Sequence, residues 1–519
     1  MDKNIAENIK KRLENKIEIM ELAKANGEPI TDDMKITVTV LADSPTVTTG
    51  FGHVCKEILN VLHETGYYKF EIVGINHDGS PHDLPYKIYP AFNGLMPDPA
   101  YRDVYGKQRF LDLLGEGRTD IAYIIQDTFV IEHQNFGKRI AETNQALPAD
   151  KKFAFIFYFP IDSTPKQSWL DNSVMLSHHP VAYTKYAFEE VLKVYTVDED
   201  TMLDEAQQQM NKEKLDMLKS CMNIIYHGVN TNNFYPKEQE EKDSLREQFW
   251  AEKKDKFVFI NVNRNQPRKD IFRTMVAFKK LLDKRRAEGK DDVYLYLHCN
   301  INDSGLNILD MAKQISLVEG EEFAFPRPDM FNTSQGFPVS VVNDLYNASD
   351  ALITTTLGEG WGLSLSEAMA TKIPVIAPDH TSITEILGKT KPGIAERGIL
   401  VNLDNYFVQA QDNSRVRPLT DVDDMAEKMY FMVENKKQLE PMVERAYQWV
   451  KELDWSGDLV GGKWRLLFQD VYANNLTVRA VEVDKQLARE MKSMKLGAND
   501  NCPICQVKYK TCRHYDPTE

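Results

Sequence analysis

The chain has 519 residues, more than one hydrophobic core usually organises at about 100 to 200 residues per domain, so two large domains are expected and a small binding module is excluded. Its 42% hydrophobic and 10% aromatic content can bury ordinary cores, and 27% charged residues with 23 prolines give no sign of wholesale disorder. Lys and Arg total 63 against 78 for Asp and Glu, and the formal charge of -15 disfavours broad adhesion to nucleic-acid phosphates or anionic lipid while allowing a local basic patch.

No stretch of about 18 apolar residues occurs, and the opening MDKNIAENIKKRLENK lacks the apolar core of a signal peptide, so a cytoplasmic chain with no transmembrane segment is expected. Ile5, Ile9, Leu13, Ile17 and Met20 recur at spacings of three and four, which predicts an accessory helix within residues 1–34. The pattern then changes to the β-branched run KITVTVLAD, the turn-rich SPTVTTGFG, the helical HVCKEILNVLHETG and the strand FEIVGIN, together a βαβ unit. IAYIIQD (121–127) and FAFIFYFP (153–160) are apolar throughout, as strands buried on both faces of a parallel sheet are.

Two charged stretches, 198–220 and 237–256, flank IIYHGVNTNNFYP and predict a domain junction that divides residues 35–235 from 236–445. A second alternating series follows through KFVFINVNR, RTMVAFKKLLDKRR, VYLYLHCN, DLYNASDALITTT, SLSEAMA and IPVIAP. The fold class is therefore α/β, with two doubly wound Rossmann-like domains. Residues 446–480 are read as helices returning toward the first domain, with Trp449, Trp455 and Trp464 as packing anchors, and residues 481–519 as a separate tail.

The segment with the strongest chemical signal runs Gly358-Glu359-Gly360-Trp361-Gly362-Leu363, and then Ser364-Leu365-Ser366-Glu367 opens a helix. Glycines let a backbone approach a ligand closely, and unbonded N–H groups at a helix start suit a diphosphate. Glu367 could accept hydrogen bonds from vicinal hydroxyls such as those of a ribose, while Glu359 would sit beside whatever the phosphate carries. In the preceding NVNRNQPRKD, Arg264 and Lys269 follow a strand, at the edge where open α/β sheets bind ligands. Two cations there can neutralise a diphosphate leaving group without a metal.

The pair Glu359 and Glu367, with seven residues between them, resembles the E-x7-E signature of the retaining family 4 type glycosyltransferases of GT-B fold. NRNQPRKD resembles that family's Arg and Lys segment, HGVNTNNFYP (227–236) its HGVDxxxFxP segment, and GFGHVCKEIL its glycine-containing first loop, all in the family's order. The resemblance implies two domains facing a cleft, a nucleotide diphosphate sugar as donor, and retention of configuration. It assigns Arg264 and Lys269 to the diphosphate, Glu367 to the ribose and Glu359 to the transferred sugar. Gly360, Trp361, Gly362 and Leu363 would cradle the donor, and Gly50 and Gly52 would approach the donor phosphates or the acceptor. His227 through Pro236 would form a wall and hinge between the domains.

Where many members carry a histidine at a strand end of the first domain, the comparable strands here end in Gln126-Asp127 and Pro160-Ile161-Asp162. Asp127 and Asp162 are thus the first-domain candidates for catalysis, with His53, His178 and His179 as others. No cofactor is expected for catalysis. The acceptor stays open among protein, glycan, lipid and a modified DNA base. The alternatives are a noncatalytic subunit that binds a sugar nucleotide or glycan, and a GT-B epimerase or phosphorylase. Asp198-Glu199-Asp200 and Asp421-Val422-Asp423 match the metal-binding Asp-x-Asp of the other major glycosyltransferase fold, yet both lie in charged or polar stretches and read as solvated faces.

Cys502, Cys505, Cys512 and His514 give the tail a C-x2-C knuckle and four ligands of zinc type. If they hold a structural zinc, one metal should copurify with the chain, and removing residues 498–519 should abolish it; a metal-free full chain prepared without chelator would contradict the assignment.

Overall fold

A computed structural model describes residues 3–92, 103–197, 203–327, 336–455, 457 and 459–473. The proposed zinc ligands at 502, 505, 512 and 514 and the triplet at 198–200 lie outside the described residues. Among those described, no helix is long and apolar enough to cross a membrane. The chain forms two compact units: the described parts of 1–161, 165–227 and 455–473, and residues 162–164 with 228–454.

Unit 1 is a seven-stranded sheet in the order β3-β2-β1-β4-β5-β6-β7. Its strands are β1 (Ile36–Asp43), β2 (Tyr68–Ile75), β3 (Lys87–Pro90), β4 (Ile121–Ile125), β5 (Ala154–Phe159), β6 (His179–Ala182) and β7 (Asn223–Ile224), and every pairing is parallel. The continuous apolar runs have the predicted consequence, since every residue of β4 and β5 is buried. The N-terminal helix, Lys3–Asn26, buries Ile9, Leu13 and Met20, and its Lys16 bonds the buried carboxylate of Asp120 at 2.6 Å. The helix Gly461–Ala473 packs on it and on the helix Gly50–His63. Trp464 lies edge-on to Tyr158 with ring centroids 4.7 Å apart.

Unit 2 has a six-stranded parallel sheet in the order β10-β9-β8-β11-β12-β15. Its strands are β8 (Phe257–Val262), β9 (Val293–His298), β10 (Phe323–Ala324), β11 (Ala351–Ile353), β12 (Val375–Pro378) and β15 (Ile399–Val401). Two antiparallel hairpins stand outside it: β13 (Lys389–Lys391) with β14 (Ile394–Ala395), and β16 (Leu403–Val408) with β17 (Val416–Thr420). Phe259, Met275, Phe278, Leu281, Leu295, Ile353 and Ile376 centre its core.

The chain passes between the units at His227–Gly228 and Asp454–Trp455, where 235–236 and 445–446 were expected, and also at Ile161–Asp162 and Thr164–Pro165, so that Asp162, expected in the first domain, falls in unit 2. Local bonding explains the first difference. The Tyr158 hydroxyl donates to the carbonyl of Ile225 at 2.8 Å and lies 2.7 Å from Nδ1 of His227, which ties that end to unit 1. Tyr235 and Lys237 donate their amides to the side chains of Asn343 and Asn347 at 3.1 and 2.8 Å, which ties them to unit 2. The charged 198–220 stretch also holds structure, because Asp204 and Gln207 close a capping box at the start of the helix Glu205–Cys221.

Candidate active site

The strand order of unit 2 sets the place. β8 comes first in sequence; β9 and β10 lie on one side of it, β11, β12 and β15 on the other. The connections after β8 and β11 therefore leave in opposite directions at the sheet's switch point, where open α/β sheets bind their ligands at the carboxyl ends of the strands. Two hydrogen bonds tie the loops near the strand ends: the Leu357 amide donates to the carbonyl of Arg268 at 2.8 Å, and the Thr355 hydroxyl donates to that of Asp270 at 2.7 Å.

Glu359, Lys269 and Arg268 converge there. Lys269 Nζ lies 2.5 Å from Glu359 Oε1, and Arg268 Nη1 lies 3.3 Å from Oε2 while also donating to the carbonyl of Gly358. Burial pushes the Glu359 carboxyl up, but the charges of Lys269 and Arg268 prevail and hold it at about 2. Burial lowers the Lys269 ammonium from its ordinary value, against the opposing pull of Glu359. The loop itself is fixed from behind: the Ser382 hydroxyl donates to the carbonyls of Glu359 and Trp361 at 2.7 and 3.1 Å, and the Glu359 amide donates to Thr381 Oγ1 at 3.2 Å. The site is thus an ion-pair cluster of one buried carboxylate and two part-buried cations, whose charges the fold itself orients.

Glu367 sits farther along the helix Leu363–Ala370 and is not part of that cluster. The fully buried Tyr346 donates its hydroxyl to Glu367 Oε2 at 2.9 Å. Burial raises the Glu367 carboxyl to about 7, which this hydrogen bond only partly offsets. Gly362 precedes the helix with φ +102°, a conformation that favours glycine; no side chain caps the helix, and while the Leu365 amide donates to the Gly362 carbonyl at 3.0 Å, the amides of Leu363 and Ser364 can take an outside acceptor. Gly360 and Leu363 are partly exposed at this turn, whereas Trp361 is buried with its ring stacked on Trp449 at 6.2 Å. Trp361 therefore anchors the loop in the core.

The β8 loop divides its two arginines. Arg264 is 58% exposed and makes a bidentate pair with Asp303 at 2.7 and 2.9 Å, away from Glu359. A 3-10 turn through Pro267–Lys269 carries Arg268 with Lys269 to the cluster instead. Arg268 was legible as a cation next to Lys269, but nothing in the spacing chose it over Arg264.

Asp162 belongs to unit 2 and is enclosed by arginines: Arg415 Nη1 at 2.9 Å, Arg417 Nη2 at 3.3 Å and Arg268 Nε at 3.6 Å. Burial works against its charge, yet Arg417, Arg268 and Arg415 hold its carboxyl at about 2. Such a carboxylate is a weak proton acceptor, so its chemistry is that of an ion-pair partner. His380 is another buried neighbour that the sequence did not single out, with Nε2 3.0 Å from the carbonyl of Thr356.

In unit 1 the switch point lies between β1 and β4. Gly50 and Gly52 follow β1 in the first turn of the helix Gly50–His63, capped by Thr49. A Cβ at Gly52 would meet the carbonyls of Ser44 and Val47 at 2.6 and 2.7 Å, so the tight turn by itself requires this glycine. Asp127 follows β4 at the N-cap of the helix Thr128–Glu132, which brings it to the same switch point as that turn. His178 accepts the Phe155 amide at 3.0 Å and serves the backbone. Asp421 caps the helix Val422–Glu434 by accepting the amides of Asp423 and Asp424 at 2.9 and 3.0 Å, and among the described residues no cluster of His, Cys, Asp and Glu could hold a metal.

Residues 332–449, which include the Glu359 loop and Glu367, match the family model described as glycosyl transferases group 1. No curated protein matches the chain. Among solved structures it is similar to a glycosyltransferase from Rickettsia africae ESF-5, with TM-score 0.57 and 14% identity over 84% of this chain and 98% of that one. It is likewise similar to Anabaena HepE in complex with UDP-glucose, with TM-score 0.56 and 12% identity over 84% of this chain and 100% of that one. Sucrose-phosphate synthase from Thermosynechococcus elongatus gives TM-score 0.54 and 14% identity over 85% and 99%. With two parallel sheets, each flanked by helices, and these neighbours, the chain has the α/β GT-B fold.

Proposed function

We propose that the protein is a retaining glycosyltransferase that moves a sugar from a nucleotide diphosphate donor to an acceptor hydroxyl, and that unit 2 holds the donor. The observation that carries this reading is the cluster of Lys269, Arg268 and Glu359 at the unit 2 switch point, of which Glu359 lies within the segment that matches the group 1 glycosyl transferases. A leaving diphosphate gains charge as the glycosidic bond breaks, and oriented cations in a site shielded from water stabilise it without reorganising. Lys269 and Arg268 are such cations. Arg264, held at the surface by Asp303, contributes less. Glu359 stays ionised and faces the transferred sugar, where it can orient a hydroxyl and stabilise an oxocarbenium-like centre. The departing phosphate oxygen then assists deprotonation of the acceptor on the same face, which gives retention.

The complex of HepE with UDP-glucose supports a nucleotide sugar as the donor class. The test is to incubate the protein with UDP-glucose, ADP-glucose, GDP-mannose and dTDP-glucose and to follow nucleoside diphosphate release and the configuration of the first sugar product by NMR. Release with a product of the donor's own configuration supports the reading; an inverted product refutes retention, and binding without release in the presence of any acceptor favours a noncatalytic subunit.

Glu367 is assigned to the ribose hydroxyls. Because that contact is similar in ground and transition states, Glu367→Ala should mainly raise the donor KM, by about 10-fold or more, and leave kcat within about threefold. The raised carboxyl adds a pH signature. In the folded chain Glu367 keeps its proton up to about 7, whereas the unfolded chain releases it near 4.5. The folded state thus binds the extra proton, and this group's contribution to stability is present below pH 4.5 and falls as pH rises through 7. Thermal unfolding at pH 5 and pH 8 should show a smaller decline for Glu367→Gln than for the native chain; equal declines would contradict the raised carboxyl.

A further inference from the structure

The hairpin of β16 and β17 adds no strand to the unit 2 sheet, yet it carries a charged group that folds rarely bury. Arg417 is only 1% exposed. Removing a guanidinium from water is costly unless every donor finds an acceptor, and an apolar side chain of similar volume would fill the space as well. Arg417 is fully engaged: Nε lies 2.5 Å from Asp412 Oδ2, Nη1 donates to the Asp162 carbonyl at 2.7 Å, and Nη2 lies 3.3 Å from Asp162 Oδ2. Arg415, on the same hairpin, reaches the other Asp162 oxygen at 2.9 Å and Asp412 at 2.5 Å.

Asp162 also reaches the proposed donor site. The Oδ2 that Arg417 holds is 3.6 Å from Arg268 Nε, and Arg268 Nη1 is 3.3 Å from Glu359. The fit is close, because a Cβ at Gly358 would come within 2.2 Å of the Asp162 carbonyl and 2.7 Å of Arg417 Nη1. The charged groups form an unbroken series from Asp412 through Arg417 and Arg415 to Asp162, Arg268, Glu359 and Lys269. Four cations face three carboxylates, so the series carries one net positive charge without a ligand.

We propose that the β16–β17 hairpin is a positioning device for the leaving diphosphate, in which Arg417 and Arg415 fix Asp162 and Asp162 fixes the guanidinium of Arg268. The inference rests on the proposed glycosyltransferase reading and names residues that act through Arg268. A long side chain at a loop has many rotamers, and an error of about 1 Å at a charge meant for the transition state can cost about 10²-fold in rate. One carboxylate held by two arginines of the hairpin restricts that freedom.

The experiment compares kcat and donor KM for the native chain, Asp162→Asn, Arg417→Lys, Arg268→Ala and the double variant Asp162→Asn with Arg268→Ala, using whichever of UDP-glucose, ADP-glucose, GDP-mannose and dTDP-glucose is turned over. Asp162→Asn keeps the shape but drops the charge, and Arg417→Lys keeps the charge but drops the fork of donors. Each should lower kcat about tenfold with KM changed less than about threefold, and the double variant should be no slower than Arg268→Ala alone. A residue that only supports the fold would instead give losses that multiply in the double variant. Multiplied losses, or a normal kcat for Asp162→Asn, overturn the inference while the enzyme reading stands. No turnover of any donor by the native chain overturns both.

Discussion

Replacing Lys269 with alanine should lower turnover at saturating donor by about 10² to 10³-fold, the scale of losing one preorganised charge contact to a developing anion. Lys269 is part-buried and held 2.5 Å from Glu359, so its ammonium is already oriented toward a diphosphate bound at the switch point. The contact strengthens as the leaving group takes on charge, which places the loss in kcat more than in KM. Arg268→Ala should approach the same loss, while Arg264→Ala, whose side chain is spread on Asp303, should lose less. Steady-state kinetics over a full donor titration checks this; unchanged turnover at saturation for both Lys269→Ala and Arg268→Ala would remove the diphosphate assignment.

Glu359→Gln should lower kcat by about 10²-fold while the nucleoside diphosphate still binds. The substitution keeps the shape and removes a charge that Lys269 and Arg268 hold ionised. In the unliganded protein that carboxylate competes with a diphosphate for Lys269, so its loss should leave nucleoside diphosphate affinity equal or tighter. Turnover falls because the sugar loses an anion near its developing positive charge. Calorimetry of the nucleoside diphosphate beside turnover for the same variant makes the check. Weakened nucleotide binding with little change in kcat would reverse the roles given to Glu359 and Glu367.

The sheet architecture was legible because strands buried on both faces announce themselves: IAYIIQD and FAFIFYFP became β4 and β5, and ALITTT began as β11. The glycine loop was equally legible, as Gly362 does take a left-handed conformation before its helix. Long-range partners were not. That Arg268 rather than Arg264 turns to Glu359 depends on a single 3-10 turn, which residue type and spacing do not specify. The enclosure of Asp162 by arginines about 250 residues downstream has no local signature at all, since ion pairs across such separations arise only when the fold closes. The β16–β17 hairpin of unit 2 was missed for a related reason: LDNYFV and VRPLT mix charge with β-formers and lack the apolar continuity of the sheet strands.

A crystal structure of the protein with the nucleoside diphosphate of its preferred donor tests the central claim most directly. The diphosphate should lie within hydrogen-bond distance of Lys269 Nζ and Arg268, with the ribose hydroxyls on Glu367 and the first turn of the helix Leu363–Ala370 beneath the phosphates. A nucleotide bound elsewhere, with Lys269 still closed on Glu359, would contradict the account.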